Sequence, residues 1–167
     1  GYVYIASERD NNQKGTNFNS ILMVAPESSD SILVPIKEWD LTALLPQVAA
    51  NSGIETVEWI SNNNLRESLF DINTNEIYDP ASYADQSIND GLFFVGLEDN
   101  GHIYAFMLSK DNSAKLISEI DTKVGGVMGL DFDEETKLLW AESDDGFKGV
   151  LTTIEFNATS SPTLTHY

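Results

Sequence analysis

The chain has 167 residues, of which 41% are hydrophobic and 10% aromatic, so it can bury a substantial core. Its 27 acidic and 9 basic residues give a formal net charge of -18. This charge argues against nucleic acid as a partner, because phosphate backbones are bound by clustered lysine and arginine. The absence of cysteine excludes disulfides and thiolate chemistry. The sequence contains no apolar run of about 20 residues, so it predicts no membrane insertion.

The first part of the chain predicts a partial unit over residues 1–38. Alternating apolar residues predict strands at 2–7, 20–24 and 31–36. The first strand runs into an acidic turn, Glu8-Arg9-Asp10. By comparison with the two units that follow, this one lacks a first, innermost strand.

A second unit is predicted over residues 53–121. It contains four strands, with an Asn-Gly hairpin turn at Asn100-Gly101. An insertion, 61–90, rich in Asn, Asp and Ser, interrupts the unit, and Asp79-Pro80 predicts a short helix within it. The predicted strands are 53–60, 92–97, 102–108 and 114–120.

A third unit, 127–167, repeats the pattern. Leu92 and Leu138 begin equivalent strand-and-acidic-turn stretches about 46 residues apart. A period of this size with several short strands is typical of β-propeller blades. We therefore predict an all-β fold, a partial β-propeller with about three four-stranded antiparallel blades. The strands predicted in this unit are 127–132, 137–141, 149–156 and 163–167.

Closed propellers have ~4–8 blades, so about three blades leave apolar faces without a neighbour. The expected partners of the chain are therefore the remaining blades of the ring. Alternation within the strands predicts a core that includes Val3, Ile5, Ile54, Val57, Trp59, Phe94, Leu130, Phe132 and Trp140.

Glu55 is the first candidate for a functional residue. It lies on a predicted innermost strand, on the same side as Val57 and Trp59, and the matching place in the third unit is Met128. An acid among apolar neighbours usually has a cation, an arginine partner or a shifted pKa. In a purely structural alternative, Glu55 caps loop amides or pairs with Arg9 or Arg66.

The acidic turns are the second candidate. If equivalent strand ends converge on one face, their carboxylates form an oxygen-rich site suited to Ca²⁺, which takes about 6–8 oxygen ligands. Asp and Asn also favour turns for backbone reasons alone, so each turn can be structural. The predicted metal ligands are Glu8, Asp10, Glu55, Glu98, Asp99 and Asp144.

Three segments together resemble the phytase-like propeller family, often labelled "esterase-like activity of phytase". They are Ser7-Glu8-Arg9-Asp10-Asn11, then Trp39-Asp40-Leu41-Thr42 with Leu45-Pro46, and Asn51-Ser52-Gly53-Ile54-Glu55. The resemblance implies a secreted, periplasmic or cell-surface bacterial protein and a full domain about twice as long, with this chain as its C-terminal part. The sequence departs from the family at Thr56, where glycine is expected.

Two functions follow as expectations. In the first, the protein is a Ca²⁺-assisted phosphoester or carboxylester hydrolase in which Glu55 and Arg9 are catalytic and Arg9 orients an anionic oxygen. In the second, it is a non-catalytic extracellular binding or scaffold propeller. The small number of His, Lys and Arg residues favours the second, because hydrolases need a base and oxyanion donors.

Overall fold

The computed structural model describes residues 1–10, 12–26 and 32–167, and in these ranges the regular structure is almost entirely β-strand. The helices are short: α1 (Asn62–Leu65) and three single-turn 3-10 helices at Thr42–Leu44, Pro80–Ser82 and Asp145–Phe147. None of the helices in these ranges has the length and apolarity to cross a membrane. The strands are β1 (Val3–Ser7), β2 (Ser20–Val24), β3 (Lys37–Asp40), β4 (Ile54–Ser61), β5 (Phe70–Asp71), β6 (Glu76–Ile77), β7 (Gly91–Leu97), β8 (His102–Leu108), β9 (Ala114–Asp121), β10 (Val127–Asp133), β11 (Leu138–Ser143), β12 (Leu151–Glu155) and β13 (Thr163–His166).

The strands form three main antiparallel sheets, none of them closed, and a small hairpin. The first sheet has the order β1-β2-β3, the second β4-β7-β8-β9 and the third β10-β11-β12-β13. The hairpin β5-β6 belongs to the insertion between β4 and β7. Sequential strands are neighbours throughout, apart from the insertion, which is the pattern of meanders joined by short turns.

The second sheet is buried on both faces because it lies between the other two. Phe93 and Val95 of β7 pack with the first sheet, around Ile21 and Trp39. Phe94, on the opposite side of the same strand, packs with residues of the third sheet. This explains why β7 reads as a continuous apolar run rather than an alternating one, since both of its faces are covered.

The predicted strands agree with the structure in all three sheets with one exception. The strand predicted at 31–36 is wrong: Ser31 lies outside the described residues, 32–36 are not in a strand, and the strand is β3. Trp39 fixes the pairing of β3 with β2. It is fully buried opposite Ile21, and its Nε1 donates to the Ser109 carbonyl at 2.9 Å. Ile32, in contrast, is 75% exposed.

Three predicted core residues are also wrong. Val3, Ile5 and Trp59 are 46%, 42% and 42% exposed. Val3 and Ile5 alternate with Tyr4, which packs toward the second sheet, so they lie on the uncovered face of the first sheet. The other predicted core residues behave as expected in part: Ile54, Phe94 and Phe132 are buried, and Val57, Leu130 and Trp140 are partly buried.

A partly buried polar network holds the insertion together. The Asp71 side chain is almost fully buried and accepts three hydrogen bonds, from Tyr83 Oη at 2.5 Å and from the backbone and side-chain nitrogens of Asn73 at 2.8 and 2.9 Å. Tyr78 stacks on Tyr83 and donates to Asn62 Oδ1 at 2.9 Å. Buried polar groups that are satisfied in this way fix a single arrangement of the segment.

Candidate functional site

Three glutamates from three different segments meet at one end of the first and second sheets. Glu8 follows β1, Glu98 follows β7, and Glu55 is the second residue of β4. One carboxylate oxygen of each lies within 4.8 Å of the others, and all three side chains are partly buried. We refer to Glu8, Glu55 and Glu98 as the glutamate cluster.

A β-bulge explains why Glu55 points into the cluster. Ile54 pairs with Leu97 and Thr56 with Gly96, so Glu55 is an extra residue without a partner on β7. The same irregularity recurs in the third sheet, between Val127 and Gly129. A bulge redirects one side chain out of the regular alternation. The bulged residue of the third sheet is Met128, the position that the sequence repeat matches with Glu55.

The backbone contacts of the cluster also recur in the third sheet. The Glu98 amide donates to the Gly53 carbonyl at 2.9 Å, and the Asp144 amide donates to the Gly126 carbonyl at 2.7 Å. Both bonds join the residue after a second strand to the glycine before a first strand. Glu98 and Asp144 are therefore structurally equivalent positions at the same end of neighbouring sheets.

Gly53 allows the first sheet to approach this closely. A Cβ atom at Gly53 would collide with Asn19 Oδ1 and lie 2.8 Å from Glu8 Cβ. Its amide instead faces Glu8 Oε2 at 3.4 Å, and the next amide, of Ile54, donates to Asn19 Oδ1 at 2.9 Å. No local sequence pattern points to Asn19, which is fully buried and accepts a hydrogen bond from an amide 35 residues away.

The electrostatics of the cluster are those of crowded carboxylates. Burial, followed by the charges of Glu8 and Glu98 and a hydrogen bond to Glu8, raises the pKa of Glu55 to about 7. Burial and the charges of Glu8 and Asp144 also raise the pKa of Glu98. Near neutral pH the cluster therefore retains part of a proton, which is what carboxylates without enough counter-charge do.

Arg9 is the cation of this site. Its Nη2 lies 3.3 Å from Glu8 Oε1, and its charge opposes the rise in the pKa of Glu55. The Arg9 side chain is 38% exposed, so it contacts solvent in addition to Glu8. One arginine beside three glutamates leaves the site with excess negative charge.

The other predicted metal ligands lie outside the cluster. Asp10 accepts the Asn12 amide at 2.8 Å within its own turn. Asp144 caps a 3-10 helix by accepting the Gly146 amide at 2.6 Å, and Asp99 is an exposed turn residue whose amide faces the Ser52 carbonyl at 3.3 Å. Asp99 and Asp144 act on Glu98 through charge alone.

Both histidines of the chain are engaged elsewhere. His102 Nδ1 lies 2.7 Å from Glu119 Oε1, and His166 Nδ1 lies 2.9 Å from Thr152 Oγ1. Glu119 lies on β9, the outermost strand of the second sheet, and His166 lies on β13, the outermost strand of the third, whereas the cluster uses β4 and the ends of β1 and β7. The titratable groups brought together at the cluster are thus carboxylates and one guanidinium.

The geometry of the cluster suits a hard divalent cation. Oxygen ligands of Ca²⁺ lie about 2.3–2.6 Å from the ion, so two ligands of one ion are separated by at most about 5 Å. The three carboxylate oxygens lie within 4.8 Å of one another and so meet this condition. The same crowding permits a shared proton, which is the alternative when no cation is present.

Comparison of the chain with protein-family models finds no match, and no curated protein matches it.

Proposed function

We propose that this protein binds Ca²⁺ through the glutamate cluster. The observation that carries the proposal is the approach of three carboxylate oxygens from Glu8, Glu55 and Glu98 to within 4.8 Å of one another. Three carboxylates supply three or more of the oxygens that Ca²⁺ takes, and water completes its shell. A bound cation also removes the repulsion that raises the pKa of Glu55.

We further propose that the three sheets are consecutive blades of a β-propeller of the phytase-like type, which assigns the protein to a bacterial periplasm, cell surface or exterior. Support comes from the repeat in the contacts between sheets. β4 lies against β1 as β10 lies against β7, and β4 also lies against β10. In such an arrangement the first strands line a channel, and the cluster opens at one end of it.

The activity implied by the resemblance is Ca²⁺-assisted hydrolysis of a phosphoester or carboxylester. Bound Ca²⁺ would offset the charge of an anionic substrate in this acidic protein. Arg9, next to Glu8, is placed to orient an anionic oxygen, and Glu55, with its raised pKa, to hold or accept a proton.

A non-catalytic binding or scaffold propeller is the second candidate. Neither histidine belongs to the glutamate cluster, because His102 contacts Glu119 and His166 contacts Thr152, so the site has no imidazole to act as a general base. In this version Ca²⁺ stabilises the strand ends or bridges the protein to an acidic partner. The two candidates share the metal and differ in turnover.

Thermal unfolding with and without Ca²⁺ tests the shared part. A single site gives about 2.7 kcal/mol of stabilisation at a Ca²⁺ concentration one hundred times the dissociation constant. Glu55→Gln should remove most of this gain. Glu134→Gln, in the exposed turn between β10 and β11, should leave it unchanged.

Hydrolysis of p-nitrophenyl phosphate and p-nitrophenyl acetate separates the two candidates. The hydrolase requires turnover that depends on Ca²⁺ and falls on Glu55→Gln. If Ca²⁺ stabilises the protein but neither ester is hydrolysed, the non-catalytic binding module is supported. If Ca²⁺ does not stabilise the protein, the proposed metal site is wrong.

A further inference from the structure

A buried asparagine, Asn19, lies next to the glutamate cluster without belonging to it. It directly precedes β2, and its side chain is fully buried. Its Oδ1 accepts the Ile54 amide at 2.9 Å, and its Nδ2 donates to Asn17 Oδ1 at 2.8 Å. Because both polar ends of this buried side chain are bonded within the protein, Asn19 acts on the cluster through its neighbours rather than as a ligand.

Asn19 joins the segments that carry Glu8 and Glu55. The last residue of β1 pairs with the first residue of β2, so Glu8 and Asn19, which come next, lie opposite each other. The amide that the Asn19 side chain holds, that of Ile54, directly precedes the bulged residue Glu55. A bulged residue has no partner on the neighbouring strand, so a bond at the residue before it helps to fix the direction of its side chain.

At the junction between the second and third sheets a glycine takes this place. The pairing of β7 with β8, continued by two residues, places Glu98 opposite Gly101. Gly101 has no side chain that could hold the Val127 amide, which is equivalent to the amide of Ile54. The bulged residue at that junction is Met128. Of these two junctions, the one with an acidic bulge is therefore also the one with a side chain that holds the bulged strand.

We propose that Asn19 is a positioning residue of the Ca²⁺ site, whose side chain holds the bulge so that the Glu55 carboxylate meets those of Glu8 and Glu98. The inference rests on the proposed Ca²⁺ site. A cation needs its oxygens at nearly fixed distances, and loss of a group that orients a ligand costs about 10–100-fold in metal affinity. Asn19→Ala should therefore lower the affinity for Ca²⁺ about tenfold or more.

Calorimetric titration of Ca²⁺ into the full chain and two variants tests the proposal. Tyr83→Phe is the matched control for Asn19→Ala, because it removes a hydrogen bond to the buried Asp71 in the insertion, which follows the opposite end of β4. Both variants should be less stable than the parent, since each leaves a buried polar group without its partner. Only Asn19→Ala should bind Ca²⁺ more weakly, whereas a purely structural role would leave the affinities of the two variants equal.

Terbium luminescence gives a second readout that a change in stability alone does not move. Tb³⁺ takes oxygen ligands as Ca²⁺ does, and its emission lifetimes in H₂O and D₂O report how many water molecules it binds. In Asn19→Ala the ion should hold more water than in the parent, because water replaces the carboxylate of a Glu55 that is no longer held in place. Tyr83→Phe should hold the same number as the parent.

A milder variant covers the case in which Asn19→Ala does not fold. Asn17→Ala removes only the acceptor of Asn19 Nδ2, and it should weaken Ca²⁺ binding by a smaller factor. The inference is overturned if the parent binds Ca²⁺ and folded Asn19→Ala binds it equally tightly, if Tyr83→Phe weakens binding as much, or if Asn17→Ala has to serve and leaves the affinity unchanged. A parent that binds no Ca²⁺ overturns the proposed metal site and this inference together.

Discussion

Asp71 and Glu55 are both removed from solvent to some degree, but their negative charges are compensated to very different extents. Asp71, in the insertion, is 1% exposed and takes hydrogen bonds from Tyr83 and Asn73. Glu55, in the glutamate cluster, faces two other carboxylates and a single nearby arginine. The first carboxylate is satisfied by its own chain, and the second is not.

The difference separates a structural acid from a functional one. Donors around Asp71 compensate its burial, so its role ends with anchoring the insertion. At the cluster the protein gathers like charges and raises the pKa of Glu55, an arrangement that costs stability unless a cation or a proton is present. Substitutions at Asp71, at Gly53 and at Glu55 should therefore affect stability and Ca²⁺ binding in different ways.

Asp71→Ala should have the largest effect. It leaves the buried Tyr83 hydroxyl without its acceptor and removes two bonds from Asn73, and we expect a loss of about 3 kcal/mol in the free energy of unfolding. Urea denaturation measures it. Asp79→Ala, in the same insertion, removes the acceptor of the Ala81 amide and the Ser82 hydroxyl at an exposed site and should cost far less. Equal losses would show that the buried network has no special role.

Gly53→Ala should have the next largest effect, and it should act on both stability and Ca²⁺. The added methyl group collides with Asn19 and crowds Glu8, so we expect a loss of about 2 kcal/mol and a weaker response to Ca²⁺. Gly15→Ala is the control, since a Cβ atom there meets nothing within 4 Å. A fully stable Gly53→Ala protein with normal Ca²⁺ binding would contradict the close approach described for this glycine.

Glu55→Gln should have a smaller effect, with a sign that depends on pH. The folded protein holds the Glu55 proton to a pKa of about 7, whereas the unfolded chain releases it near 4.5. Stability therefore falls as pH rises through this interval. A neutral glutamine avoids the loss, and after allowance for solvent screening we expect a gain of about 1–2 kcal/mol at pH 8.

Chemical denaturation in EDTA at pH 5 and pH 8 provides the measurement for Glu55→Gln. At pH 5 the variant and the parent should be nearly equal, because Glu55 in the folded parent is still protonated. A variant less stable than the parent at pH 8 would mean that the charged carboxylate is already satisfied without metal.

Much of the fold follows from the sequence because its strands alternate and its turns carry Asp, Asn and Gly. The bulge at Glu55 could not be anticipated, because regular alternation predicted Glu55 on the same side of the strand as Val57 and Trp59, and the bulge breaks that alternation. The position of β3 could not, because it depends on the contact of Trp39 with Ser109, which is 70 residues distant. Asn19 and the exposure of Val3 likewise depend on how neighbouring sheets pack, and this information is not local.

Within the site, the sequence predicted six ligands and the structure brings three of them together. Glu8 and Glu98 follow equivalent strands of adjacent sheets, and Glu55 reaches them through its bulge. Asp10 and Asp144 bond amides two residues away, the common local use of aspartate in turns. The charge of a residue and its position in a turn do not distinguish a member of the glutamate cluster from an aspartate that only bonds an amide of its own turn.

Calorimetric titration of Ca²⁺ at pH 7 in buffers of different ionisation enthalpy tests the central claim most directly. If Glu8, Glu55 and Glu98 hold the ion, one Ca²⁺ should bind per chain and release about half a proton, since Glu55 has a pKa of about 7. At pH 8.5 the release should fall nearly to zero, and Glu55→Gln should show neither tight binding nor proton release. Failure to bind Ca²⁺, or binding by Glu55→Gln equal to that of the parent, would contradict the claim.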